Sequence, residues 1–379
     1  MPDPDALTHS QRVCAHISEE IRCAGGWIPF SAFMRMALYA PGLGYYAAGL
    51  AKFGAQGDFF TAPELTSLFG HALANQFADV LRATGGSVLE LGAGTGRLAA
   101  DILTQLAALE SLPESYAVLE PSPDLRERQQ HTLSRLTPAL ASRVRWLDAL
   151  PGEWTGVIFG NEVLDALPVE ILARRGTEQC RRGVTLDATG RLSWRDAPLT
   201  AREHGAAIDA LFPEGDYESE INPEAQALTA TLGRLLRRGL LLWIDYGFPA
   251  REYYHQQRTT GTLMCHYQQR AHADPLVLPG LQDITAHVDF SAVARAGLAA
   301  GLDLAGYTAQ AGFLLDCGIT ELLLGAGAPG TAEYLRQSNA VQRLLSPAEM
   351  GELFKAIAFT RDIDQPLRGF STGDRSGSL

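Results

Sequence analysis

The segment Ser87-Val-Leu-Glu-Leu-Gly-Ala-Gly-Thr-Gly-Arg-Leu98 decides the fold. Val88, Leu89 and Leu91 predict a buried strand. Gly92, Gly94 and Gly96 predict a tight turn, and a helix opens at about Arg97. Glycine lets the backbone turn sharply and approach a ligand where a Cβ would collide. The helix that follows begins with unpaired N–H groups facing the turn, a seat for a carboxylate or a phosphate. An acid, Glu90, stands two positions before the first glycine. An acid there suits a ligand with an ammonium group, and the methionine end of S-adenosylmethionine carries both an ammonium and a carboxylate.

The competing reading is a dinucleotide site, whose fingerprint is G-x-G-x-x-G with an acid roughly 20 residues on. Here the spacing is G-x-G-x-G and the acid comes first. Glu120 ends the next strand-like run, Tyr116-Ala-Val-Leu-Glu120, where a carboxylate can grip two ribose hydroxyls in either kind of site. An ordinary strand–helix turn is the third reading. The pair Glu90 and Glu120 favours the methyl donor.

Outward from this turn the chain alternates. Strands are predicted at 87–91, 116–120, 144–148 and 156–160, with helices at 97–110 and 124–136. Such alternation makes an α/β protein with a doubly wound, mostly parallel sheet. Ligands bind beyond the carboxyl ends of strands in such sheets. Glu90, Glu120, Asp148 and Asn161-Glu162 fall at or near those ends. Asp148 could meet an adenine amino group or simply occupy a surface turn.

Before the core, helices are predicted at 9–24, 30–39 and 65–82. After it, the strand-like runs of 169–196 read as an inserted β-meander, and 223–238 reads as a helix. Leu240-Leu-Leu-Trp-Ile-Asp-Tyr-Gly247 resumes the sheet, 289–300 returns to helix, and Leu302–Tyr307 with Leu353–Thr360 form a closing strand pair. The Gly/Ser-rich tail from Gly369 is expected to fray.

Composition narrows the classes. The chain has 379 residues, 46% of them hydrophobic, enough for a sizeable core. A net charge of -12 gives nucleic acid no general footing. Five scattered cysteines form no C-x-x-C pair, so no metal site or disulfide framework is expected. No targeting segment and no apolar run of ~18 residues is visible, so the expected location is cytoplasmic, without membrane insertion.

Six stretches in order resemble one family. They are Gly44-Tyr-Tyr46, Gly57-Asp-Phe-Phe-Thr-Ala-Pro-Glu64, Glu90-Leu-Gly-Ala-Gly-Thr-Gly96, Asn161-Glu-Val-Leu-Asp-Ala-Leu-Pro168, Asp245-Tyr-Gly247 and Asp283-Ile-Thr-Ala-His-Val-Asp-Phe290. The chain resembles the MidA-like family of class I S-adenosylmethionine-dependent methyltransferases. That family includes the mitochondrial assembly factor that methylates an arginine on a core subunit of respiratory complex I. The resemblance implies a Rossmann-like class I methyltransferase fold and a protein substrate. It implies the donor over Glu90, Gly92, Gly94 and Gly96, with Glu120 on the ribose and the 57–64 segment closing over it. Asp58 and Thr61 are its candidate donor contacts there; Asp58 could equally fix the turn. Met264 stands where members often carry arginine, so no acceptor contact is assigned to its loop.

These readings divide the chain into five parts. They are a helical, donor-covering segment (1–84), the first part of the core (85–168) and an inserted meander and helix (169–238). The rest of the core with acceptor-side loops (239–368) and a flexible tail (369–379) follow.

An arginine acceptor sets a chemical demand. Its guanidinium is protonated at neutral pH. Carboxylates can hold it by paired hydrogen bonds and take the proton it must lose. Glu162 and Asp165 can face one side if a helical turn begins there, with Asn161 beside the donor or the acceptor. If so, both acids could equally be helix-terminus acids. His287 and Asp289 share a face of an extended segment. A proton relay through His287 is one reading; a contact that only orders a loop is the other. Two other functions stay open: a donor-binding assembly chaperone without turnover, and a small-molecule methyltransferase with the meander as a lid.

Overall fold

A computed structural model describes residues 2–48, 61–199 and 205–379, with side chains of the last span from Ile208 onward. Two compact units emerge, one built from residues 1–59, 164–225 and 248–289, the other from 60–163, 226–247 and 290–379. The chain therefore crosses between units several times, where the sequence suggested consecutive segments.

The second unit is built on seven strands: β1 (Ser87–Leu91), β2 (Tyr116–Leu119), β3 (Val144–Leu147), β4 (Trp154–Asn161), β5 (Leu236–Phe248), β6 (Asp303–Ala309) and β7 (Phe354–Arg361). Their order is β3-β2-β1-β4-β5-β7-β6. From β3 to β5 the neighbours run parallel. β7 runs antiparallel to both β5 and β6, which is the expected closing pair. Leu240 to Ile244 are buried without a break, the pattern of a strand covered on both faces. The order reverses between β1 and β4, and that switch point is where open α/β sheets bind ligands.

Helices Ser67–Thr84 and Arg97–Ala108 share one core with the sheet. Leu98, Ile102, Leu103 and Leu106 are buried at helical spacing. Each such side chain contributes about 1.5–3 kcal/mol by leaving water. Phe77 meets Phe159 of β4 with ring centroids 5.0 Å apart.

Two differences from the sequence reading concern chain ends. The helix expected to 238 is Pro223–Leu235, and the next residues join β5. Leu236 pairs with Trp154 and Arg238 with Thr155, so ladder pairing overrides the helical propensity of Leu-Arg-Arg. The tail from Gly369 is tied down rather than frayed. The Asp374 carboxylate accepts the Tyr307 N–H at 2.9 Å, the Arg375 N–H donates to the Tyr307 carbonyl at 2.6 Å, and Phe370 is buried.

In the first unit, helix Pro4–Cys23 is capped by Asp3, which accepts the Ala6 N–H at 2.8 Å. It buries Val13, Ile17 and Ile21 in a core shared with helix Phe30–Tyr39. The expected meander is present as Glu170–Arg175, Glu178–Leu186 and Leu192–Pro198, all antiparallel. Ile28–Pro29 and Tyr217–Ile221 complete that sheet. A small sheet of Met264–Tyr267, Arg270–His272 and Asp283–Thr285 was not expected from the sequence. Among the described residues no helix is long and apolar enough to cross a membrane.

Candidate active site

The glycine turn follows β1 at the switch point. Gly92, Gly94 and Gly96 have φ of 64°, 53° and 79°, a region that L side chains rarely adopt. A Cβ on Gly96 would lie 3.0 Å from the Gln129 Cα, and one on Gly92 would lie 3.2 Å from the Val163 Cγ2. The turn is therefore closed to side chains at Gly92 and Gly96. Thr95, inside it, donates its hydroxyl to Glu64 at 2.6 Å, which ties the turn to the short helix Ala62–Leu65. Thr61 sits half-buried just before that helix. Asp58 and the rest of 57–60 lie outside the described residues.

Glu90 is buried within β1 and accepts the Tyr116 hydroxyl at 2.7 Å. Burial pushes its carboxyl up to about 8; the Tyr116 hydrogen bond opposes this and the Glu120 charge adds to it. A buried acid that is neutral near pH 7 can become charged opposite an ammonium group.

Glu120, just past β2, is also buried. One carboxylate oxygen accepts the Ser122 N–H at 3.0 Å, and the other accepts the Gln129 amide at 3.1 Å. A carboxylate oxygen can accept more than one hydrogen bond, so the same group can take ribose hydroxyls. Asp148 follows β3 with an exposed side chain and pairs with Arg126 at 2.8 Å. Arg126 also donates to the carbonyls of Glu120 and Leu147, so the pair braces two strand ends.

At the end of β4, Asn161 donates to the Glu162 carboxylate at 3.0 Å. Among the described residues, the buried Asn161 Oδ1 has no hydrogen-bond partner. Glu162 has a φ of 53°, uncommon for a residue with a side chain. Two contacts hold it there. Its N–H donates to the Ile244 carbonyl at 2.9 Å, and the next N–H, that of Val163, donates to the Asp245 carboxylate at 3.1 Å. Asp245 is buried at the end of β5 and also accepts the Tyr246 N–H. Strain of this kind concentrates at working sites.

The helical turn that would set Glu162 and Asp165 on one side does not form. Residues 162–169 run as bends and turns, because left-handed Glu162 and Pro168 both break a helix. The helix-terminus reading of the two acids falls with it. Asp165 belongs to the first unit, where it is buried and its carbonyl accepts the Ala286 N–H at 3.0 Å. His287 is in that unit too. Its ring stacks on Phe248 with centroids 5.2 Å apart and planes 5° apart, and the His287 backbone N–H donates to the Thr262 hydroxyl. Asp289 accepts the Tyr254 hydroxyl at 3.2 Å. In the same unit Tyr46 donates to Asp283 at 2.9 Å, joining two of the six motifs. Cys265 is fully buried and its thiol is pushed up to about 12, so it is no nucleophile.

Sequence reasoning missed Gln129 and gave Asp245 no role. A signal for Gln129 exists. It lies on the same helical stripe as Leu125 and Leu133, and all three are buried. A polar residue on an apolar stripe needs a polar partner inside.

Comparisons with known proteins give the family. A family model for S-adenosyl-L-methionine-dependent methyltransferases matches residues 72–308, and the chain belongs to that family. A Burkholderia thailandensis protein crystallised with S-adenosyl-homocysteine is 51% identical, with a TM-score of 0.97 over 100% of this chain and 99% of that one. The rat mitochondrial protein arginine methyltransferase NDUFAF7 is 29% identical, covering 94% of this chain and 86% of its own length. Its human counterpart is 29% identical over 90% of this chain and 82% of its own. The fold is that of class I methyltransferases and the cofactor is S-adenosylmethionine. The residues fit it: a left-handed glycine turn ahead of a helix N-terminus, a buried acid beside the turn, and a second buried acid just past the next strand.

Proposed function

We propose that this chain methylates arginine on a protein substrate, and that Glu162 is the group that orients the guanidinium and accepts its proton. The relatives named as protein arginine methyltransferases support the acceptor class. A subunit of respiratory complex I is the first substrate to try, by family resemblance. The observation that carries the role of Glu162 is its left-handed backbone at the switch point, fixed by Ile244 and Asp245.

S-adenosylmethionine supplies an electrophilic methyl group on a sulfonium. The protein's main work is to hold the attacking nitrogen in line with it, which is worth roughly 7–11 kcal/mol when done well. Glu162 localises positive charge on the nitrogens that do not react and accepts the proton lost as the new N–C bond forms and the sulfur–methyl bond breaks. Asn161 fixes the Glu162 carboxylate by donating to it, and its Oδ1 is left to accept an N–H of the guanidinium. Asp165, three residues along the chain, is the second candidate acid.

The test is to incubate the purified chain with methyl-labelled donor and a protein extract, then locate the label by mass spectrometry. Label on arginine supports the proposal. Label confined to small molecules points to a small-molecule methyltransferase. Binding of the donor with no label anywhere points to a chaperone without turnover.

A further inference from the structure

We infer that Gln129 is a positioning residue of the donor site, which sets the Glu120 carboxylate for the ribose hydroxyls. Gln129 is fully buried in helix Pro123–Leu133 and its amide makes three hydrogen bonds. Nε2 donates to the Gly94 carbonyl at 3.1 Å and to the Glu120 carboxylate at 3.1 Å. Oε1 accepts the Trp146 indole N–H at 2.9 Å. These partners admit only one orientation. Gly94 and Glu120 offer acceptors and Trp146 offers a donor, so a flipped amide would face all three with the wrong atom.

One side chain thus connects the glycine turn, the acid after β2 and an indole on β3. Its backbone also sits 3.0 Å from where a Gly96 Cβ would fall, so the helix presses on the turn at the same point. A buried carboxylate held from one side by a fixed amide offers its remaining acceptor directions in a fixed geometry. That geometry discriminates between a sugar with two hydroxyls and a sugar with one.

The inference rests on Glu120 as the ribose ligand, and the test separates the two. Calorimetry compares S-adenosylhomocysteine with its 2′-deoxy analogue on four proteins: wild type, Glu120→Ala, Gln129→Met and Trp146→Phe. Thermal melts report folding. Wild type is expected to prefer the ribose form by about tenfold or more, the range of one hydrogen bond to a charged group. Glu120→Ala should abolish that preference, and Gln129→Met should cut it below about threefold. Trp146→Phe, which frees the amide to rotate without touching Glu120, should lower it by at least about twofold. General loosening of the site would raise both dissociation constants and leave their ratio alone. If Glu120→Ala keeps the preference, the ribose assignment fails and the inference with it. If Glu120→Ala loses it and folded Gln129→Met keeps it, the role of Gln129 alone is overturned. Should Gln129→Met not fold, the Trp146→Phe ratio decides, and an unchanged ratio overturns the inference.

Discussion

Glu90 shows how a single residue ties stability to ligand binding. Its carboxyl lies at about 8 in the folded chain against an ordinary 4.5, chiefly because it is buried. An acid raised in this way binds its proton more tightly folded than unfolded. Its contribution is fully present below about 4.5 and is lost as pH rises through about 8. Melting temperature should therefore fall across that window, and Glu90→Gln should flatten the fall; parallel curves for the two proteins would refute this. Ligand binding has the opposite sign. An ammonium group favours the charged acid, so S-adenosylhomocysteine should bind more tightly from pH 6 to pH 8 and release a proton at pH 7. Calorimetry in two buffers of different ionisation enthalpy measures that proton directly. At Gly94, a valine would add a branched side chain at φ 53°. Gly94→Val should cost about 1–2 kcal/mol of stability and remove S-adenosylhomocysteine binding, a loss that calorimetry on the folded variant would show. Glycine spacing and acid placement made these residues legible in the sequence. Gln129 was not legible, because it stands in a polar run, Arg126-Glu-Arg-Gln-Gln130, and only its place on the buried stripe sets it apart.

At the scale of elements, strand–helix alternation gave the parallel part of the sheet, and two late apolar runs gave its antiparallel close. What could not be read is instructive. The sheet of Met264–Tyr267, Arg270–His272 and Asp283–Thr285 has strands too short and polar to show alternation, and only pairing defines them. The turn after β4 was open to a helical reading because acids three apart suit a helix. The structure instead stores strain there, held by Ile244 and Asp245 of the neighbouring strand β5. That strain gives a prediction of unusual sign. Glu162→Gly should leave unfolding free energy unchanged or slightly higher, since glycine avoids a left-handed penalty of about 1–2 kcal/mol while losing about 0.5–1 kcal/mol to chain entropy. Turnover should nonetheless collapse. A denaturant melt showing a large loss of stability would mean that the Glu162 side chain serves the fold instead. Asp245→Ala should destabilise by about 1–3 kcal/mol, because it leaves the Val163 N–H without its buried acceptor. A change within about 0.5 kcal/mol in denaturant unfolding would remove Asp245 from this account.

For the whole molecule, family membership, cofactor and fold converge on a methyl transfer run from the switch point of a class I sheet. The sequence could not give the way the chain shares itself between two units. Residues 1–59 group with 164–225 and 248–289, an assembly that no local pattern encodes. The central claim is that donor binding and acceptor chemistry reside in separable residues, with Glu162 on the acceptor side. The direct test measures donor affinity by calorimetry and label transfer to protein arginine on one variant, Glu162→Gln. Affinity for S-adenosylmethionine should stay near wild type while turnover falls by a factor on the order of 10²–10⁴. Arginine methylation at the wild-type rate by a folded Glu162→Gln protein would contradict the claim.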